Sequence, residues 1–164
     1  MKKILLIEDD TTMRENTAEI LELANYKVTT ASNGKEGSSL AKEIKPDLII
    51  SDIMMPGLDG YGVLHVLSKD PQTASIPFIF LTAKAEKSEI RKGMELGADD
   101  YITKPFDDTE LLNAVEIRLK KSSVMKKVFT RDAEGLNNFL DHASGLKELE
   151  NLSRSRPTTK LSLI

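Results

Sequence analysis

At 164 residues and a formal net charge of −3, the chain has room for one domain and an appendage. Its slight acidity excludes a protein built mainly to grip nucleic-acid phosphates, and the absence of cysteine excludes disulfides and thiolate metal sites. No apolar run approaches membrane-spanning length, and the run that follows Lys2-Lys3 is too short for a signal-peptide core, so the expectation is a soluble, cytoplasmic protein.

Residues 4–7 form an apolar run that ends in Glu8-Asp9-Asp10 and predicts the first strand. A helical pattern opens at Thr11, with Ile20, Leu21, Leu23 and Ala24 as its apolar side and Asp10 or Thr11 as its cap. A second strand is expected near residues 26–30. Asn33-Gly34 reads as a turn, followed by a helix to about residue 45 with Leu40, Ala41 and Ile44 inward. Pro46 ends that helix, because proline clashes with the preceding turn and has no N–H to donate.

Residues 47–52 predict the third strand. Leu48, Ile49 and Ile50 are consecutive apolar residues, which suits a strand covered on both faces. An unpaired carboxylate inside such a strand is costly, so Asp52 belongs where the strand leaves the sheet, ahead of the Pro56-Gly57 turn. A third helix over 60–69 carries Val63, Leu64, Val66 and Leu67. The fourth strand spans 76–82, with Pro77 near its start, and the fourth helix spans 86–96 with Gly97 as its C-cap. A short fifth strand at 101–103 precedes Lys104-Pro105, and Asp107 or Asp108 caps a fifth helix with Leu111, Leu112, Val115 and Leu119.

Strand and helix thus alternate five times in about 120 residues, which implies parallel pairing with right-handed crossovers. The predicted fold is α/β, a doubly wound five-stranded parallel sheet in the order 2-1-3-4-5 with five helices, followed by a C-terminal helical tail. Four strands end in a polar residue of distinct chemistry: Glu8 and Asp9, Asp52, Thr82, and Lys104. A parallel sheet brings these ends to one edge. Carboxylates gathered there repel one another unless a cation sits among them, and oxygen-only ligands select a hard cation such as Mg²⁺. A carboxylate beside Mg²⁺, faced by a lysine and a threonine, can accept a phosphoryl group as a covalent nucleophile.

These stretches resemble the receiver domain of two-component response regulators. The resemblance is carried by Ile7-Glu8-Asp9-Asp10, by Asp52-Ile53-Met54-Met55-Pro56-Gly57-Leu58-Asp59-Gly60, by Leu81-Thr82-Ala83, and by the run from Gly97 to Phe106. It covers residues 1–121. It implies that Asp52 is the phosphoacceptor, loaded by a sensor histidine kinase, and that the protein is a signalling switch rather than an enzyme. It also implies that Asp9 and Asp52 bind Mg²⁺ directly, that the Met54 backbone carbonyl is a third ligand, and that Glu8 acts through water. Thr82 and Lys104 would contact the phosphoryl group, Tyr101 would be an aromatic switch coupled to Thr82, and Lys104-Pro105 would be cis. Asp10 is read as a helix cap, and neither His65 nor His142 as a phosphate acceptor. The rival function is a Mg²⁺-dependent aspartyl-phosphate phosphohydrolase. Such enzymes usually carry a second aspartate two residues after the nucleophile, and here that residue is Met54.

Residues 122–164 lie outside the receiver pattern and are expected to form a helical, partly disordered tail or a linker to an output domain. Val124, Met125, Val128 and Phe129 would extend the fifth helix, a second helical piece would span 132–142, and a third would follow Gly145. The segment resembles the connector to a cyclic-nucleotide-binding-like domain in some longer regulators. It is too short for a DNA-binding output domain, so direct nucleic-acid binding is not expected. The helical apolar spacing suits a homodimer through the fifth helix and tail.

Overall fold

The computed structural model describes residues 1–83 and 86–140. Ten elements follow in strict alternation: β1 (Lys3–Ile7), α1 (Thr11–Leu23), β2 (Lys27–Ala31), α2 (Gly34–Ile44), β3 (Leu48–Ser51), α3 (Gly60–Ser68), β4 (Phe78–Thr82), α4 (Lys87–Glu95), β5 (Asp100–Thr103) and α5 (Asp108–Leu140). The strands form one parallel sheet in the order β2-β1-β3-β4-β5, as predicted. The chain divides into two units, Met1–Leu119 and Lys120–Ile164, and the sheet lies wholly in the first.

Successive strand residues point to opposite faces, and both faces here are covered. Leu5, Ile7, Ile49, Phe78 and Phe80 pack with Ala41 of α2 and with Val63, Leu64 and Leu67 of α3. Ile4, Leu6, Ile50, Ile79, Leu81 and Ile102 pack on the other side with Ala18 and Leu21 of α1 and Leu111, Val115 and Leu119 of α5. This double burial explains why β1, β3 and β4 read as unbroken apolar runs rather than alternating ones.

The local signals acted mostly as expected. Asp10 caps α1 by accepting from the Met13 N–H at 2.8 Å, and Asp107 serves α5 by accepting from Glu110 N–H at 2.7 Å. Lys45, held in the left-handed region at φ 46°, ends α2 just before Pro46. Gly97 turns the chain after α4 at φ 108°.

Three expectations are corrected. Asn33-Gly34 is not a free turn: Asn33 caps α2 through the Glu36 N–H at 2.8 Å, and the Glu36 carboxylate accepts from Ser32 N–H at 2.7 Å. Together these two bonds cap the start of α2, the second reaching one residue before the cap, and the Asn-Gly signal masked them. Leu23 is not on the inner side of α1 but 81% exposed, because two helical residues on from buried Leu21 lie on the opposite face. The separate helical piece expected from 132 does not exist as far as Leu140; α5 runs through to that residue. Gly135 inside it costs only about 1 kcal/mol and does not break a helix. Lys84, His142, Gly145, Leu146, Leu149, Leu152 and the stretch 153–159 lie outside the described residues.

Candidate functional site at the carboxyl edge of the sheet

Each predicted site residue sits at a strand end because the sheet holds the backbone beside it. Glu8 follows β1, with its N–H donating to the Ala31 carbonyl at 3.0 Å, and Asp52 follows β3, with its N–H donating to the Ile7 carbonyl at 3.0 Å. Thr82 is the buried last residue of β4. Its carbonyl accepts from the Lys104 N–H at 2.8 Å, which fixes the start of the β5–α5 loop. The Lys104–Pro105 peptide is cis, as the resemblance implies.

The fold brings the three acids together. Glu8, Asp9 and Asp52 each offer a carboxylate oxygen, and these oxygens lie within 4.8 Å of one another. Glu8 is 2% exposed and Asp52 9%, whereas Asp9 is open to solvent. The Lys104 ammonium bridges the buried pair, donating to Glu8 Oε1 at 2.6 Å and Asp52 Oδ2 at 3.2 Å. Asp52 Oδ1 accepts from the Ile53 N–H at 2.7 Å, so both carboxylate oxygens are oriented. The site opens as a cleft of about 500 Å³ lined by Glu8, Asp9, Asp10, Met13, Asp52 and Lys104, among others.

The electrostatics follow from this crowding. Burial pushes the Glu8 carboxyl up to about 7, and repulsion from Asp52 adds to it, against the pull of the Lys104 hydrogen bond and charge. Burial works against the Lys104 ammonium, but the Glu8 hydrogen bond and the charges of Asp52 and Glu8 outweigh it and raise its pKa. The site thus concentrates negative charge that one lysine only partly offsets. Its donors are oxygens alone, which fits a hard divalent cation.

Met54 stands two residues beyond Asp52 and is 63% exposed. Tyr101 is half-buried in β5 with its ring edge-on to Phe80. Asp10 is spent on capping α1, as read from the sequence. His65 is exposed on α3 and belongs to no part of the acidic cluster.

Sequence reasoning missed Arg14. Successive residues of an extended strand point to opposite faces, yet Glu8 and Asp9 both reach the Asp52 cluster, so the backbone must turn after Ile7. Arg14 Nη1 donates to the Glu8 carbonyl at 2.8 Å and more weakly to the Asp9 carbonyl at 3.4 Å, holding that turn from the first coil of α1. A cation four residues after the helix cap was the available signal.

The chain belongs to the response regulator receiver domain family, whose model matches residues 4–116. It is 41% identical over 122 residues to the DNA-binding dual master transcriptional regulator RpaA of Synechocystis sp., covering 74% of this chain and 51% of RpaA. It is 40% identical over 121 residues to the phosphate regulon transcriptional regulatory protein PhoB of Pseudomonas aeruginosa, covering 74% and 53%. The chain therefore spans about half the length of these relatives. Among solved structures it resembles the receiver domain of the sensor histidine kinase PA1611 of Pseudomonas aeruginosa, which has a magnesium ion in its active-site cleft. That likeness has 28% identity and a TM-score of 0.69, covering 73% of this chain and 98% of that one. The chain is thus a receiver domain of two-component signalling, and the phosphohydrolase reading is not favoured.

Proposed function

We propose that Asp52 accepts a phosphoryl group from the phosphohistidine of a sensor kinase and that the modified domain switches a partner-binding surface. The observation that carries this reading is the Lys104 ammonium bridging Glu8 and Asp52 at the strand edge. A carboxylate oxygen of Asp52 attacks the phosphorus, a P–O bond forms, and the P–N bond to the donor imidazole breaks. Lys104 leaves its resting partners to neutralise the transferred oxygens, and the Thr82 hydroxyl donates to one of them. Asp9 and Asp52 would hold Mg²⁺ with the Met54 backbone carbonyl, and Glu8 would act through water. Bound Mg²⁺ supplies charge neutralisation for the phosphoryl oxygens. The expected chemistry is limited to self-phosphorylation and self-dephosphorylation, in the cytoplasm. Incubation with a small phosphodonor and Mg²⁺ should add one phosphoryl group to the intact mass; a chain that turns the donor over without holding the label would be a hydrolase instead.

The lifetime of the label is a second expectation. Met54 flanks the acceptor and offers no group that orients a water, and its bulk crowds the approach. Loss of phosphate should therefore be about tenfold slower in the native chain than in Met54→Asn, on the order of one hydrogen bond of transition-state stabilisation. Equal decay of the two would remove Met54 from the account.

RpaA and PhoB are transcriptional regulators, and the reading carried to this chain is a receiver module at residues 1–121 with 122–164 as tail or linker to an output domain. Its assembly is proposed as a homodimer through α5 and the tail. The rival surface is the receiver face of α4, β5 and α5, whose charges would pair across two copies, but there the Asp100 carboxylate is already engaged inside the chain by the Tyr101 N–H at 2.8 Å and by Arg118 at 3.7 Å. The receiver face is left to contribute only after phosphorylation. Light scattering on a chain cut after Lys121 should show a weaker dimerisation constant than the full chain; identical constants would remove the tail from the interface.

A further inference from the structure

Helix α4 is the least anchored helix on its side of the sheet. Its one buried residue is Gly93, and its N-cap residue Glu86 makes no side-chain capping bond. Gly93 packs so closely that an added Cβ would lie 3.0 Å from the Phe80 ring and 3.4 Å from Tyr101. A second anchorage comes from α3. Tyr61 is 8% exposed, and its hydroxyl meets Glu89 of α4, 2.5 Å from the carboxylate Oε2 and 3.1 Å from the backbone carbonyl. The Lys92 ammonium, also on α4, lies 4.4 Å from the centroid of the Tyr61 ring. The Tyr61 ring also stands edge-on to Phe80, with centroids 5.4 Å apart.

Tyr61 is also tied to the acceptor loop. Asp52 Oδ1 accepts from Ile53 N–H, and the Ile53 carbonyl accepts from Gly60 N–H at 2.9 Å. Gly60 rests on the Asp52 backbone so closely that a Cβ there would lie 2.2 Å from the Asp52 carbonyl oxygen. The residue that rides on the acceptor backbone is thus the immediate neighbour of the residue that holds α4.

We propose that Tyr61 is a positioning residue that couples the backbone of the Asp52 loop to helix α4, by a route through the start of α3. A shift of the loop on phosphorylation moves Gly60, and Tyr61 passes that shift to Glu89 and Lys92. The route starts from the loop after Asp52 rather than from Thr82, and it meets Tyr101 only at its far end, where the Tyr61 hydroxyl also bonds the Tyr101 side chain. Burial and the Glu89 charge keep the Tyr61 phenol protonated far beyond its ordinary range, so the donor persists throughout neutral pH.

This inference rests on Asp52 being the acceptor, and the test separates the two. Tyr61→Phe keeps the ring and removes the hydroxyl; Glu89→Ala removes the partner. Hydrogen exchange of the amides of residues 87–95 is followed with and without a small phosphodonor and Mg²⁺. In the unphosphorylated chain, Tyr61→Phe should exchange about tenfold faster over α4 than the native chain, with α1 and α5 unchanged. Glu89→Ala added to it should accelerate exchange no further. The difference that phosphorylation makes to α4 should shrink in both variants, while label on Asp52 is retained. Native exchange over α4 in Tyr61→Phe, or an undiminished response to phosphorylation, overturns the coupling. A native chain that takes no label at Asp52 overturns the acceptor reading, while the unphosphorylated comparison still decides whether Tyr61 holds α4.

Discussion

Replacing Asp52 by asparagine is expected to reduce phosphoryl incorporation to background while leaving the fold intact. The amide is nearly isosteric, and its oxygen can keep the bond from the Ile53 N–H. It cannot act as the nucleophile, so the loss is of chemistry rather than of binding. Lys104 retains Glu8 at 2.6 Å and is not stranded. Removing the Asp52 charge also relieves one cause of the raised Glu8 pKa, which offsets part of the lost ion pair. Intact mass after incubation with a phosphodonor reads the first effect, and a melting curve the second. Labelling at the native level would move the acceptor elsewhere. A collapse of the melting transition would mean that Asp52 holds the fold as well as the phosphate.

The second large effect is expected at Gly60. Alanine there would drive a methyl group to 2.2 Å from the Asp52 carbonyl oxygen and 2.8 Å from the Ile53 Cα. Both are backbone atoms, so no side-chain rotation relieves the overlap. The cost should sit near the top of the usual range for overpacking, about 3 kcal/mol, with a fall in melting temperature on the order of 10 °C. Because the displaced segment is the acceptor loop, labelling should fall even at temperatures where the variant is folded. Gly57→Ala is the control: φ there is +77°, but nothing lies within 4 Å of the added carbon. Its cost should be backbone strain alone, about 1 kcal/mol, with labelling kept. Equal losses of label in the two variants would show general loop damage rather than a contact between α3 and the acceptor backbone.

Much of this molecule could be read from its sequence, for a physical reason. A parallel sheet covered on both faces writes its strands as uninterrupted apolar runs, and β1, β3 and β4 are such runs. Residues that end those runs must face solvent or one another, and Lys104 follows the short strand β5 at the same end, so Glu8, Asp9, Asp52, Thr82 and Lys104 could be assigned to one edge from the sequence. Their contacts could not. The Lys104 bridge, the Arg14 hold on the Glu8 carbonyl and the Tyr61–Glu89 bond depend on side-chain geometry across 6 to 96 residues, which no local pattern encodes. The errors were local conflicts settled by wider context. Asn33-Gly34 carries a turn signal, but Glu36 three residues later makes Asn33 a helix cap. A separate helical piece was expected from 132, but no proline stands between Phe129 and Asp132, so α5 continues to Leu140.

The Lys104 bridge has one more consequence. A protein that depends on a metal to neutralise its acids loses its structure when the metal is withdrawn, as small zinc domains do. Here the ammonium already stands between the two buried carboxylates, and the core of Met1–Leu119 is built from apolar side chains on both faces of the sheet. The core is therefore built without requiring a divalent ion. A chelator should silence the acceptor and lower the melting temperature only by the binding energy of the lost ion, without unfolding the domain, and returning the ion should restore it with no refolding step. A domain of this kind can wait through ion starvation intact and answer as soon as the starvation ends.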